Sequence, residues 1–254
     1  MDLFEELLDN PWKENIVLGS LPLWKYENEF PVANASACLV DYKNTRFLLS
    51  VAHASIAKSL WRAEVKSVDY DGANFGWLYQ PVEMNSLYSF KLKPELNDVS
   101  EPKLVDFTYL RVPDNFNSEH VIDIIDNEPF SANRTVFKPN FDVLLSKEKK
   151  YGFYGNVRFN GTKDNRLVFD HRLEHDLSYI GTDDEYHVFK LPHKYGSHLN
   201  YLGCSGAPII DNDYNLVALV AFGRRSTNCI YGVDIKKYRS ILEINSKHNN
   251  YGII

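Results

Sequence analysis

Apolar positions along this chain come in short runs with the two-residue period of half-buried strands, at 37–40, 46–51, 75–79, 86–92, 107–112, 151–159 and 216–222. Polar turn clusters separate them. Asp41-Tyr42-Lys43-Asn44 and Asp211-Asn212-Asp213-Tyr214-Asn215 each divide two apolar runs, as hairpin loops do. Helical periodicity is confined mainly to the ends: Met1 to Leu8 is acidic and amphipathic, and Ile235, Tyr238, Ile241 and Leu242 share one face of a segment starting near Asp234. The Asp234 carboxylate is suited to capping that segment's first turn.

The pattern predicts an all-β fold of two packed antiparallel β-barrels with a C-terminal helix, because closure removes exposed sheet edges. No repeat or low-complexity segment divides the chain. The stretch 112–139 is largely polar, carries three prolines and lies between two strand-rich halves. An N-terminal barrel over 1–125 and a C-terminal barrel over 126–254 are therefore expected, with chemistry in the cleft between them.

With 254 residues and 44% hydrophobic content, the chain can fill such cores. A net charge of −6 gives no electrostatic footprint for nucleic acid, and the cluster Lys147-Glu148-Lys149-Lys150 reads as a solvated turn. There is no apolar run of membrane-spanning length. The acidic N-terminus lacks the features of a secretory signal, so a cytoplasmic location is expected and the Asn-X-Ser/Thr matches at Asn34, Asn133 and Asn160 read as chance. Cys38, Cys204 and Cys229 lack disulfide or metal-knuckle spacing and read as reduced thiols.

Candidate chemistry starts at Gly203-Cys204-Ser205-Gly206-Ala207-Pro208. A serine hydroxyl is a weak nucleophile until an imidazole takes its proton. The apolar run Phe47 to Ala54 delivers His53 as that base, and Asp106, heading the strand-like Asp106-Phe107-Thr108-Tyr109-Leu110, is the acid to orient it. Asp98, Glu101 and Asp123 are other acids nearby in sequence. A glycine two residues before the serine lets the backbone N–H groups of Gly203 and Ser205 point at one oxyanion.

These segments resemble those of the chymotrypsin-like, or trypsin-like, serine peptidases, whose motifs read TAAH, a D-I-A-L-like strand and G-x-S-G-x-P. Ser50-Val51-Ala52-His53 matches the first, Asp106 to Leu110 loosely the second, and Gly203 to Pro208 the third. The resemblance covers about residues 30 to 245. It implies a serine endopeptidase acting on a protein or peptide substrate through an acyl-enzyme, with His53, Asp106 and Ser205 catalytic. It also implies that Ala221, Phe222 and Gly223 hold the substrate main chain as an added strand, and that Leu199 walls the primary specificity pocket. No cofactor is required. The chain ends soon after its terminal helix, so regulation is expected from loops or a protein partner.

Several positions depart from the family pattern. Cys204 stands where secreted members carry an aspartate that pairs with a newly cut N-terminus, so activation by that route is not expected. Ala221 stands where many members have a serine hydroxyl bonded to the triad acid. A competing motif, His171-Arg172-Leu173-Glu174-His175, has the H-x-x-E-H form of zinc hydrolases but requires a helix. His187, His193 and His198 are candidates for lining the substrate pocket. An α/β-hydrolase is excluded because Ala207 breaks G-x-S-x-G and only His248 follows the serine. The alternative from another class is a catalytically silent member serving as a peptide-binding or scaffolding module.

Overall fold

A computed structural model describes residues 10–27, 30–55, 61–69, 75–89, 92–93, 98–99, 103–116, 118–125, 128–163 and 166–247; the acidic start Met1 to Leu8, Glu101 and His248 lie outside them. Helix α1 (Pro11–Gly19) starts where the Asn10 side chain accepts hydrogen bonds from the N–H groups of Trp12 and Lys13. Pro11 in its first turn costs no hydrogen bond there.

The first half of the chain folds as β1 (Leu21–Glu27), β2 (Phe30–Tyr42), β3 (Thr45–Ser50), the single helical turn α2 (Ala52–Ser55), β4 (Trp61–Asp69), β5 (Phe75–Val82) and β6 (Asn85–Ser89). A two-residue ladder of β7 (Leu92–Lys93) and β8 (Asp98–Val99) precedes β9 (Lys103–Val112). The hairpin of β10 (Glu119–Ile125) and β11 (Glu128–Asn133) leads to β12 (Val136–Phe137), which runs parallel to β2. The main sheet has the order β5-β4-β1-β2-β3-β9-β6.

Strand β2 curls this sheet. Its residues 30–37 pair with β1, and 38–42 pair with β3, so one long strand passes between two ladders. The result is a half-barrel sheet: among the described residues no pairing links β5 to β6, whereas the sequence led us to expect a barrel here too.

The second half closes fully. Strands β13 (Lys150–Lys163), β14 (Arg166–Asp183), β15 (Tyr186–Lys190), β16 (Pro208–Asp211), β17 (Leu216–Arg224) and β18 (Cys229–Asp234) form a six-stranded barrel in the order β13-β14-β15-β18-β17-β16, and β16 returns to β13. A 3-10 turn, Ile235–Tyr238, leads into α3 (Arg239–Lys247), and Asp234 caps that turn by accepting from the Lys236 N–H at 2.9 Å. Ile235, Tyr238 and Leu242 are buried as their spacing predicts.

Three large apolar clusters among the described residues hold these layers, beside a small fourth of Val188, Cys229 and Tyr231. One, including Leu23, Leu39, Leu48 and Trp61, fills the first sheet, and another, including Phe153, Leu177, Phe189 and Ile230, fills the barrel. The third joins Val40, Phe47, Leu49 and Phe107 of the first half to Ile210, Leu219, Ala221 and Tyr238 of the second. Each such large side chain contributes about 1.5–3 kcal/mol by leaving water, so this shared cluster fixes how the halves meet.

The polar stretch between the halves carries a buried charge network. Arg134 is buried, donating to Glu64, to the Ser118 hydroxyl and to the Ser20 carbonyl, and it lies 3.2 Å from the His120 ring. Burial first, then the Arg134 charge, pushes the His120 pKa well below its usual value, keeping the ring neutral.

The terminal segment also supports the end of β3, since the Tyr238 hydroxyl donates to the Ser50 carbonyl at 2.7 Å and its ring lies 4.2 Å from that of Phe107. Tyr238→Phe leaves that buried carbonyl without its donor and is expected to cost about 1–2 kcal/mol in urea unfolding.

Candidate active site

His53 leaves β3 on the α2 turn. Ser55 fixes the turn from behind: its hydroxyl donates to the Val51 carbonyl at 2.8 Å and lies 2.6 Å from the Thr108 hydroxyl on β9. Because β3 and β9 pair with Ser50 opposite Thr108, Asp106 emerges just beyond the ladder, level with His53. The His53 Nδ1 is 2.8 and 3.1 Å from the two Asp106 oxygens, and the His53 N–H donates to Oδ1 at 3.2 Å.

Burial disfavours charge on Asp106, yet the hydrogen bonds and charge of His53, with help from Tyr186, hold its pKa below the ordinary value of 3.8. The Tyr186 hydroxyl is 3.5 Å from Oδ2. It comes from β15 and offers the acid a partner that Ala221 lacks. Nothing in the spacing of Tyr186 identified it.

Ser205 arrives from the barrel on a turn between the 3-10 segment His198–Tyr201 and β16. Gly203 and Gly206 have φ of +94° and +91°. A Cβ on Gly206 would overlap the Ser36 carbonyl and the Ser50 hydroxyl, and one on Gly203 would overlap the Asn34 amide and the Asn156 carbonyl. Both positions therefore require glycine. Strand β2 straps this turn down: the Ser36 N–H donates to the Ser205 carbonyl at 2.9 Å, and the Ser36 hydroxyl to the Gly203 carbonyl at 2.9 Å. Ser50 completes the tie by donating to the Ser36 carbonyl at 2.8 Å.

The strap brings Ser205 Oγ to 3.1 Å from His53 Nε2. With Nδ1–H donating a hydrogen bond to the Asp106 carboxylate, Nε2 presents its lone pair to that hydroxyl. The Ser205 hydroxyl also reaches the Ala221 carbonyl at 2.8 Å, so its proton has two acceptors. Among the described residues, the N–H groups of Gly203 and Ser205 donate no hydrogen bond.

The other expected site residues flank this point. Ala221 is buried, while Phe222 stacks on Tyr231 at 4.7 Å and meets Tyr186 edge-on at 5.2 Å. Gly223 packs against the Tyr195 ring, and Leu199 is exposed in the 3-10 turn. Of the three pocket histidines, His198 faces a cleft beside Gly223. His193 binds Glu174 while remaining exposed at the surface, whereas His187 is buried against Thr182 and Asp234, which corrects the expectation of a surface or pocket position for that one.

The H-x-x-E-H segment lies in strand β14, so it lacks the helical face that a zinc site needs. His171 turns to Asn156 and His175 to Asp176, each at 2.7 Å. No metal-holding group of three or more His, Cys, Asp or Glu side chains occurs among the described residues. Glu174 is buried under the serine loop, where it accepts from Arg172 at 2.6 Å and the Tyr201 hydroxyl at 2.7 Å, with His193 Nε2 also 2.7 Å away. It thus anchors Tyr201, two residues before Gly203. Cys204 is fully buried, and burial followed by the Glu174 charge pushes its thiol pKa far up, leaving it an inert packed residue.

Solved structures with this fold are chymotrypsin-like serine proteases and their relatives. The serine endoprotease from Yersinia pestis superposes with a TM-score of 0.53 at 9% identity, over 95% of this chain and 67% of that one. Human heparin binding protein gives 0.55 at 11% identity, over 94% and 96%. HL collagenase gives 0.51 at 13% identity, over 93% and 96%. Such identities establish the fold alone. No known family profile matches the sequence, and no curated protein matches it.

Two measurements check this geometry. Asp106 has a folded pKa below its unfolded value, so its stabilisation is present above about pH 4 and is lost as pH falls through the folded value. The stability difference between the parent and Asp106→Asn is therefore expected to shrink as urea unfolding is repeated from neutral pH down to about pH 3. Gly206→Ala meets both a disfavoured φ and occupied space, and is expected to cost on the order of 3 kcal/mol.

Proposed function

We propose that this chain is a serine endopeptidase. The reading rests on one observation: an acid, an imidazole and a serine hydroxyl contributed by two separate sheets meet in a single line of 2.8 and 3.1 Å contacts. A surface histidine would not require an acid on one ring nitrogen and a glycine-bounded serine on the other.

In this reading Ser205 Oγ attacks a peptide carbonyl while its proton passes to His53 Nε2. Asp106 holds the ring in the needed tautomer and stabilises the imidazolium. The carbonyl oxygen becomes negative facing the N–H groups of Gly203 and Ser205, worth on the order of 3 kcal/mol per donor in such sites. His53 then gives its proton to the leaving amine as the C–N bond breaks, leaving an acyl group on Ser205. Water repeats the sequence and frees the enzyme. Substrate main chain lies along Ala221 to Gly223. No step uses a cofactor.

A binding module is the second reading, and a specific observation favours it: the Ser205 hydroxyl is nearer the Ala221 carbonyl than the His53 ring. A protein named for heparin binding also shares the fold, so architecture alone does not imply turnover. The intact line of three groups outweighs this, because the difference is closed by one rotation about the serine side-chain bond. We place the enzyme in the cytoplasm, where its three buried free thiols persist. No helix among the described residues is long and apolar enough to cross a membrane. We further propose a protein partner as its regulator.

Intact-mass analysis after exposure to a fluorophosphonate probe tests the assignment. One adduct on the native chain is expected, absent in Ser205→Ala and reduced at least tenfold in His53→Ala, since the imidazole base contributes about two or more orders of magnitude. No adduct on folded native protein would point to the binding module or to an enzyme latent until its protein partner binds.

A further inference from the structure

Beside Gly223 lies a cleft of about 580 Å³ whose walls are the segment 194–198 and the turn beginning at Arg225. Its basic lining residues are Lys194, His198 and Arg225, with no acid among the residues that line it. This is unusual in a chain of net charge −6. Among the described residues none of these three side chains has an ion pair or hydrogen bond, and all three residues are exposed. Nearby charges are already committed. Glu174 is taken by Arg172, Tyr201 and His193, and Arg224 lies over the Tyr231 ring.

The walls are held in fixed relation to each other. Asn228 donates to the His193 carbonyl at 2.7 Å and accepts from the Tyr195 N–H, while Lys190 donates to the Thr227 carbonyl at 2.7 Å. The cations therefore sit on two segments tied together rather than on independent loops, which lowers the ordering cost of binding.

We infer that this cleft is a subsite for an acidic side chain of a peptide ligand. The orientation of that peptide rests on the protease reading above, because Gly223 is two residues beyond the Ala221 carbonyl that meets Ser205. Aspartate or glutamate carboxylates are complementary to the three donors, whereas a lysine or arginine is repelled. Selection there is by charge rather than by fit, since a cleft of about 580 Å³ is far larger than one acidic side chain. An extended polyanion would also have to cross a surface that is acidic in sum.

The test uses the full chain carrying Ser205→Ala, so that peptides bind without turnover. Labelled neutral peptide pools, identical except for one fixed glutamate, glutamine or lysine, are compared by fluorescence anisotropy at low and high salt. The glutamate pool is expected to bind about tenfold more tightly than the glutamine pool at low salt, the combined size of two or three exposed charge contacts. That ratio falls towards one in Arg225→Glu and in Lys194→Ala, and at high salt. Equal binding of the two pools, absence of binding by any pool, or a glutamate advantage that survives Arg225→Glu overturns the inference. So does tight binding of a heparin chain without glutamate–glutamine discrimination. The readout is separate from probe labelling of native Ser205: a silent serine with an intact glutamate preference rejects the protease and keeps the subsite, and the converse rejects only the subsite.

Discussion

The structure turns on a few hydrogen bonds between Ser36 of β2 and the turn that carries Ser205. His53 and Asp106 belong to the half-barrel sheet, and Ser205 belongs to the closed barrel. Each half can be well packed by itself and still leave the serine too far from the imidazole. The Ser36 N–H and hydroxyl grip the Ser205 and Gly203 carbonyls, and Ser50 fixes Ser36 in turn. The Cys204 and Gly206 N–H groups are tied back to the Tyr201 and Val220 carbonyls, so the turn is held from both sides. One strap therefore sets the hydroxyl-to-imidazole distance.

Behind the strap, apolar packing and buried polar groups have different tasks. The cluster shared by both halves supplies most of the free energy that joins them, because burial of Phe47, Phe107, Leu219 and Tyr238 is non-directional and large. It does not specify ångström-level geometry. Directional groups do that: Ser55 with Thr108 aligns the His53 turn on β9, and Glu174 with Tyr201 anchors the approach to Gly203. A buried carboxylate is costly unless its oxygens are occupied, and Glu174 meets Arg172, Tyr201 and His193. In the resembled peptidases an aspartate beside the serine performs such anchoring; here Cys204 occupies that position and only fills space.

The barrel face beside Ser205 is equally ordered. Strand β17 offers the Ala221 carbonyl to the serine and then exposes Gly223 next to a basic cleft. On the far side of β18, β15 sends Tyr186 to Asp106. Two ladders that share β18 thus connect the partner of Asp106 with the carbonyl that the Ser205 hydroxyl reaches.

Much of this was legible in the chain. Alternating apolar runs gave away the strands because a half-buried strand has a two-residue period, and the glycines around Ser205 were identifiable because positive φ excludes side chains there. The order of His53, Asp106 and Ser205 followed from short motifs whose chemistry is local. Tertiary structure alone decided what depends on contacts between distant segments. Tyr186 and Glu174 are ordinary strand residues until β15 and β14 bring them to Asp106 and Tyr201. Nothing in the polar stretch around Arg134 announces a buried guanidinium until its partners, Glu64, Ser118 and Ser20, gather around it. H-x-x-E-H resembles a metal motif until β14 proves extended, since the motif's meaning lies in helical spacing. A sequence encodes periodicity and local stereochemistry, whereas the partner of a buried charge is chosen only by the fold that desolvates it.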